Sequence, residues 1–326
     1  MGQDGAVLQV EVSCPAALAG PALELLQEHP AVSALSVGRG ASVKPVGDVI
    51  TAYVPREAAN DVLEELRTLG IHREGAIRVT PVDAWISQPG YDAELAAPGA
   101  GADAVVWPEV VQRAYADTEL TWAFVSFMVL ATFIAAVAIV LDSVVLVIAA
   151  MVLGPEFGAV AALGLALVRK RPGLLGRAGR TLAAGFAVAI LATTVFAVAG
   201  NYVGWIEPAD LLGARPGTAF VYSPDRWSFI VAIIAGAAGV LSITSSKSGG
   251  LVGVFISVTT IPAAGNAALA LGLGVWSELW GSLLQLVVNI IGMAVAGWLT
   301  LVLQQTVWQR VRILRRRRAR TDDPRI

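Results

Sequence analysis

The chain has 326 residues, 56% hydrophobic and 15% charged, with a mean hydropathy of +0.68. That much apolar surface exceeds what a soluble core of this size can hide, which excludes an ordinary globular protein and places the chain in a bilayer. The net charge of −2 conceals a partition: residues 1–120 carry 7 basic and 17 acidic side chains and residues 304–326 carry 8 and 2, so the acidic front end argues against nucleic acid as a partner.

The opening residues, MGQDGAVLQVEVS, lack the basic and apolar regions of a secretory signal, so the front end is expected in the cytoplasm. AVLQVEVS alternates like a half-buried strand, and PAALAGPALELLQEHP follows with Leu18, Leu23, Leu25 and Leu26 at helical spacing. VSALSVG and DVITAYVP read as two further strands around the turn GRGASVKPVG. REAANDVLEELRTLG is an amphipathic helix with Val62, Leu63, Leu66 and Leu69 on one side and Gly70 placed to end it, and AIRVTPVD closes as a strand. The order βαββαβ over residues 1–83 is the split-βαβ, ferredoxin-like plan of an α+β domain. That plan hosts small-ligand sensors, metal carriers and dimerisation modules alike, so it does not choose a function.

Nothing in this section points to catalysis or to a cofactor. His29 and His72 have no cluster at metal spacing, and Gly38-Arg39-Gly40 lacks the third glycine and following helix of a phosphate cradle. The lone Cys14 excludes an internal disulfide. Residues 84–120 read as a flexible Ala/Gly/Pro-rich linker to 108, then a short juxtamembrane helix near 109–119.

Apolar runs long enough to span the hydrocarbon core fall near 121–141, 144–168, 182–200, 227–243, 250–273 and 279–303, which predicts a polytopic α-helical membrane domain of six helices over 121–303. With a cytoplasmic start, Arg169, Lys170, Arg171, Arg177, Arg180, Lys247 and the Arg-rich tail (304–326) fall inside, and Arg215 and Arg226 fall outside, set against Glu207, Asp210 and Asp225. That distribution obeys the positive-inside rule and predicts an inner-membrane protein with both termini cytoplasmic. Trp205, Trp227, Trp276 and Trp280 sit at outer ends, and Trp122 and Trp308 at inner ends, as an aromatic belt requires.

A hairpin pattern occurs twice inside this domain. VLDSVVLVIAAMVLGPEFGAVAALGLAL (140–167) and KSGGLVGVFISVTTIPAAGNAALALGL (247–273) each meet a proline with a glycine three residues on, Pro155–Gly158 and Pro262–Gly265. Proline removes a helical donor and clashes with the preceding turn, so helices two and five are expected to be broken, with Gly154 at the first break. Three helices per copy make the second insert upside down, a 3+3 inverted repeat, and matched breaks are the sequence pointer to a midplane solute site.

LDSVVLVIAAMVLGPEFG, TSSKSGGLVGVFISVTTIPAAGNAALALG and GSLLQLVVNIIGMAVAG resemble the prokaryotic membrane family catalogued as domain of unknown function 389, also called the uncharacterised hydrophobic domain family. The resemblance extends over nearly the whole chain, and its second block is the more specific. Ala149-Ala150-Met151 stands where the family usually has Gly-Ala-Met. The resemblance implies a membrane protein and leaves the activity open.

Polar groups inside spans are costly and are the candidates for function. Glu156, directly after Pro155 with apolar sequence on both sides, reads either as a pathway carboxyl or as a packed one. Ser257, Thr259, Thr260 and Asn266 surround Pro262, and Gln285 and Asn289, at i and i+4, present two amides on one face of the sixth helix. Together these define a candidate solute or ion pathway. Asp142 and Ser143 at the outer turn, and Thr244 and Lys247 at the inner turn, are candidates for a gate or an anion contact, or are ordinary loop residues. The expected function is a transporter or permease for a small solute or ion, with a regulatory or oligomerising front domain and a homo-oligomeric state. An ion channel, or an anchored sensor whose front domain binds a small ligand, are the alternatives. No nucleophile, base or metal set suggests an enzyme.

Overall fold

The computed structural model describes residues 7–82, 85–96, 104–221, 226–244 and 260–321. They divide into two units, one built on the chain up to Val111 and the other beginning at Gln112.

In the first unit β1 (Val7–Cys14), β2 (Ala34–Val43), β3 (Val46–Pro55) and β4 (Ala76–Pro81) form an antiparallel sheet in the order β2-β3-β1-β4. Alternation along β1 decides which face is covered: Leu8, Val10, Val12 and Cys14 are fully buried, whereas Gln9, Glu11 and Ser13 are half-buried. Register places Leu8 opposite Val54, Val10 opposite Ala52 and Val12 opposite Ile50, so β3 adds its buried residues to the same face. α1 (Ala16–Glu28) and α2 (Ala59–Thr68) cover it with Ala19, Ala22 and Leu26 and with Val62, Leu63 and Leu66. The strand order and the two crossover helices match the split-βαβ plan. Gly70, at φ +83°, separates α2 from the short α3 (Ile71–Glu74), a left-handed position suited to glycine.

The stretch read as a flexible linker is tied down where it is described. Trp85 stacks on Tyr53 of β3 with ring centroids 4.3 Å apart, and α4 (Gln88–Ala96) follows. Farther on, the Arg56 guanidinium donates to the Ala104 carbonyl at 2.9 Å and to Glu109 at 3.1 Å. Asn60 donates to the Val105 carbonyl at 2.7 Å and accepts from the Trp107 amide at 3.1 Å. Val106 is buried in the core of this unit, just before α5 (Trp107–Asp117). Composition alone cannot register this tether, because the side chains that hold the segment lie far upstream, around the start of α2.

The second unit is helical: it holds α6 (Trp122–Val140), α7 (Val144–Leu153), α8 (Glu156–Val168), α9 (Pro172–Tyr202), α10 (Pro208–Leu212), α11 (Arg226–Thr244) as far as Ser242, α12 (Thr260–Leu273) and α13 (Trp276–Thr321) as far as Gln304. α6, α9 and the Trp276–Val307 part of α13 are long and apolar enough to cross a bilayer, and α7 with α8 makes one more such stretch, bent by 58°. Phe229–Thr244 and Thr260–Leu273 are shorter apolar helices. Among the described residues, length and composition therefore give three or four candidate spans, where six are expected from the sequence. α12 alone reaches only about 21 Å at 1.5 Å per residue, against roughly 30 Å of hydrocarbon. The front part of the expected fifth span, 250–259, lies outside the described residues.

Close contacts fix helix directions within this unit. Thr181 donates to the Thr118 carbonyl at 2.7 Å, Gly185 lies against Phe124, and the Phe133 and Phe196 rings are 5.3 Å apart, so α6 and α9 run the same way. α12 runs with them, since Thr194 donates to the Ala268 carbonyl and Gly272 lies against Ala197. Gly292 and Gly297 of α13 meet Ala232 and Val240 of α11, which makes that pair parallel too. A turn at Gly274 (φ +74°) sends α13 back along α12.

Candidate functional site

The helical unit is built with its polarity inverted. α13 exposes Leu284, Val287, Ile291, Val295, Leu299 and Leu303 along one side. Its other side buries Glu278, Ser282, Gln285 and Asn289, spaced four, three and four residues apart, so all four share one stripe. Apolar groups outside and polar groups inside suit a lipid solvent and are wrong for water. Exposed Trp205, Trp276 and Trp280 mark one end of the unit and Trp122 the other, as interfacial tryptophans do.

The stripe faces α12, where every residue from Thr260 to Ala270 is buried. Six of these eleven are alanine or glycine, which lets neighbouring backbones come close: a Cβ on Gly265 would lie 2.8 Å from Ala135 Cβ. Pro262 and Gly265, expected to break a helix, lie inside a helix that is continuous from Thr260 to Leu273. Pro262 stands in the first described turn, where its missing N–H costs least. The first break is present as the sequence predicts, with extended Gly154 ending α7 and Pro155 preceding α8. Gly158 then packs so close to Asp117 that a Cβ there would meet the carboxylate side chain at 2.7 Å.

Glu156 opens α8 and is 1% exposed. Its Oε1 accepts a hydrogen bond from Thr260 Oγ1 at 2.6 Å, so the break after α7 meets the start of α12. The amide N–H groups of α8's first turn favour a carboxylate at this position. Asn266 donates to Ser282 at 2.8 Å, which fixes the height of α12 against α13. Counting back along α12 from Asn266 and forward along α13 from Ser282, Thr260 comes level with the turn carrying Asn289. Gln285 and Asn289 are both buried, with Gln285 Nε2 donating to Asn289 Oδ1 at 3.4 Å, and Gln285 Oε1 is a buried acceptor with no donor among the described residues. Ser257, Thr259 and Lys247 lie outside the described residues, and Thr244 is buried at the end of α11.

A second polar group, not foreseen from the sequence, caps the stripe. Arg215, expected in a solvated outer loop opposite Glu207, Asp210 and Asp225, is only 5% exposed. Its Nη2 donates to both carboxylate oxygens of Glu278 at 2.7 Å, and its Nη1 donates to Asn266 Oδ1 at 3.1 Å. Asn266 in turn donates to Glu278 at 3.0 Å, closing a triangle of Arg215, Asn266 and Glu278. The Asn266 amide, a candidate pathway group, is thus occupied by protein partners. Asp210 instead accepts from the Glu207 amide at 2.8 Å beside α10, and Asp225 lies outside the described residues.

Asp142 and Ser143 both have hydrogen-bond partners within the helical unit. Asp142, at φ +46° between α6 and α7, accepts from the Gly217 amide at 3.2 Å and Thr218 Oγ1 at 2.9 Å. Ser143 caps α7 by accepting from the Leu146 amide. The signal for Arg215 and Glu278 was present in part: Glu278 stands four residues before Ser282 on the stripe that also carries Gln285 and Asn289. Its partner, 63 residues away, was not visible in any local pattern.

Residues 151–295 match the family model described as Domain of unknown function (DUF389). The chain is also similar to an uncharacterized protein of Methanocaldococcus jannaschii, 30% identical over 164 residues, covering 50% of this chain and 48% of that protein. The chain thus spans about half the length of the curated relative it matches. No solved structure matches.

Proposed function

We propose, taking residues 151–295 as a member of the domain of unknown function 389 family, that the protein is a membrane transporter or permease for a small polar solute or ion. The observation that carries this reading is the buried polar stripe of α13 facing α12, which is buried from Thr260 to Ala270, with Glu156 and Thr260 joined at the break after α7. A structural scaffold in lipid has no need of so many buried polar groups, and each is costly in hydrocarbon. On this reading the bound species is small, passes through the membrane unaltered, and needs no cofactor.

Six spans related as a 3+3 inverted repeat are part of the proposal. Two features support it: the parallel pair α6 and α9 clasps α12, and the parallel pair α11 and α13 has α8 packed on α13, where Gly164 lies against Ala294 and Trp298. On this reading the Glu156–Thr260 contact joins the break after α7 to the first described turn of α12. The exposed basic side chains Lys170, Arg177 and Arg180 at the start of α9 support an inner-membrane orientation with both termini cytoplasmic. The β2 and β4 edges of the front sheet pair with no further strand among the described residues, which supports an oligomerising or regulatory role for that unit.

Flux in reconstituted vesicles tests the reading. Protein-containing vesicles are expected to dissipate an imposed pH gradient or to take up one of a panel of radiolabelled small ions and solutes, with saturation, and Glu156→Gln is expected to change the rate and its pH dependence. Unsaturable flux would reassign the protein as a channel. Glu156→Gln with unchanged rate and pH profile would make Glu156 structural, and no flux above empty vesicles across the panel counts against transport.

A further inference from the structure

We propose that residues 213–218 form a strap that closes one end of this polar pathway, and that Arg215 with Glu278 is the latch of its gate. The inference rests on the transport reading and names the entrance to that pathway.

The strap is held from two sides. Asp142, in the turn between α6 and α7, takes hydrogen bonds from Gly217 and Thr218. Arg215 holds Asn266 of α12 and Glu278 of α13. Thr218 is fully buried, and Gly217 fits so closely that a Cβ would lie 3.0 Å from the Asp142 carbonyl. A loop that merely joined α9 to α11 would need neither a buried guanidinium nor a glycine pressed against another turn.

What lies beneath the latch gives it a purpose. Glu278 and Ser282 begin the α13 stripe, and Gln285 and Asn289 continue it toward the level of Thr260 and Glu156. Lifting the strap exposes Glu278, Asn266 and Ser282 and so opens the head of the stripe to water. A buried ion pair is often no more stabilising than apolar packing of the same volume, so a stability argument alone does not explain one here. Its components do regain full hydration on opening, which makes the contact one that can break and reform.

The test uses the full chain in lipid nanodiscs with Cys14→Ala and Gln285→Cys, and reads the rate at which a charged methanethiosulfonate modifies the thiol at position 285. Arg215→Gln is expected to raise that rate at least tenfold, and Thr218→Val, which loosens the strap without touching the ion pair, to raise it severalfold. A thiol exposed at position 205 (Trp205→Cys) should react equally in all backgrounds. Should Arg215→Gln fail to fold, Thr218→Val carries the test alone. A reactive thiol at 285 whose rate neither variant changes would overturn the gate and leave the transport reading standing. A thiol at 285 inert in every background, with reagent at both faces, would overturn both.

Discussion

At the scale of single residues, the Arg215–Asn266–Glu278 triangle makes the sharpest energetic prediction. Removing one partner of a buried pair strands the other charge, so Glu278→Ala is expected to cost about 3–5 kcal/mol, whereas replacing both charges together (Arg215→Met with Glu278→Leu) should be close to neutral. Thermal unfolding of the detergent-purified variants checks the contrast. Asp117 supplies a second prediction, one with a pH sign. Its carboxyl titrates above the usual range because burial disfavours the charge, an effect that Arg113 partly offsets. Because its folded-state value is raised, the carboxylate costs stability at neutral pH, and that cost disappears as pH falls through the raised folded-state value toward the unfolded one. Asp117→Asn should therefore melt higher than wild type at pH 7, with the gap closing on acidification. Glu156 and Thr260 were legible as candidates because polar residues in apolar runs stand out. Arg215 was not, because a cation in a loop was read against its sequence neighbours, and its true partner lies on another helix.

At the scale of elements, the small residues of α12 decide how closely its neighbours pack. Gly265→Val must push a branched side chain into Ala135 and the backbone at Ala136, and the expected cost is about 1–3 kcal/mol. Gly173→Ala, where a Cβ meets nothing within 4 Å, is the matched control and should leave the melting temperature unchanged or slightly raised. Unfolding midpoints of the two variants against wild type check this. Periodicity made the four strands and α1 and α2 readable, because one face of each is buried. The break at Pro155 was readable as well, since a proline between apolar runs ends a helix. Pro262 stands in the first described turn of α12, where a proline is tolerated, and the residues just before it, where a second break would fall, lie outside the described ones.

At the scale of the whole molecule, the chain joins a front unit of ordinary polarity to a helical unit of inverted polarity. Composition shows that contrast directly, whereas the number of crossings depends on the bent pair α7 and α8 and on α11 and α12, whose flanks lie outside the described residues. Val43 is 85% exposed on the front unit. With Cys14→Ala, a thiol at position 43 is expected to resist an impermeant maleimide in intact cells and to react once the cells are opened. Labelling in intact cells would place the front unit outside and reverse the proposed orientation.

The burial of α12 also has a consequence for biogenesis. A helix shielded by protein from Thr260 to Ala270 and carrying Asn266 gains little from lipid when it leaves the ribosome and the insertion machinery. It needs a proteinaceous cradle already waiting, and α6 and α9, which form two of its walls, are both made earlier in the chain. Vectorial synthesis thus delivers the receiving walls before the guest, so nascent chains stalled between α9 and α12 should be stably inserted, while a chain lacking α6 should leave α12 exposed to quality-control proteolysis.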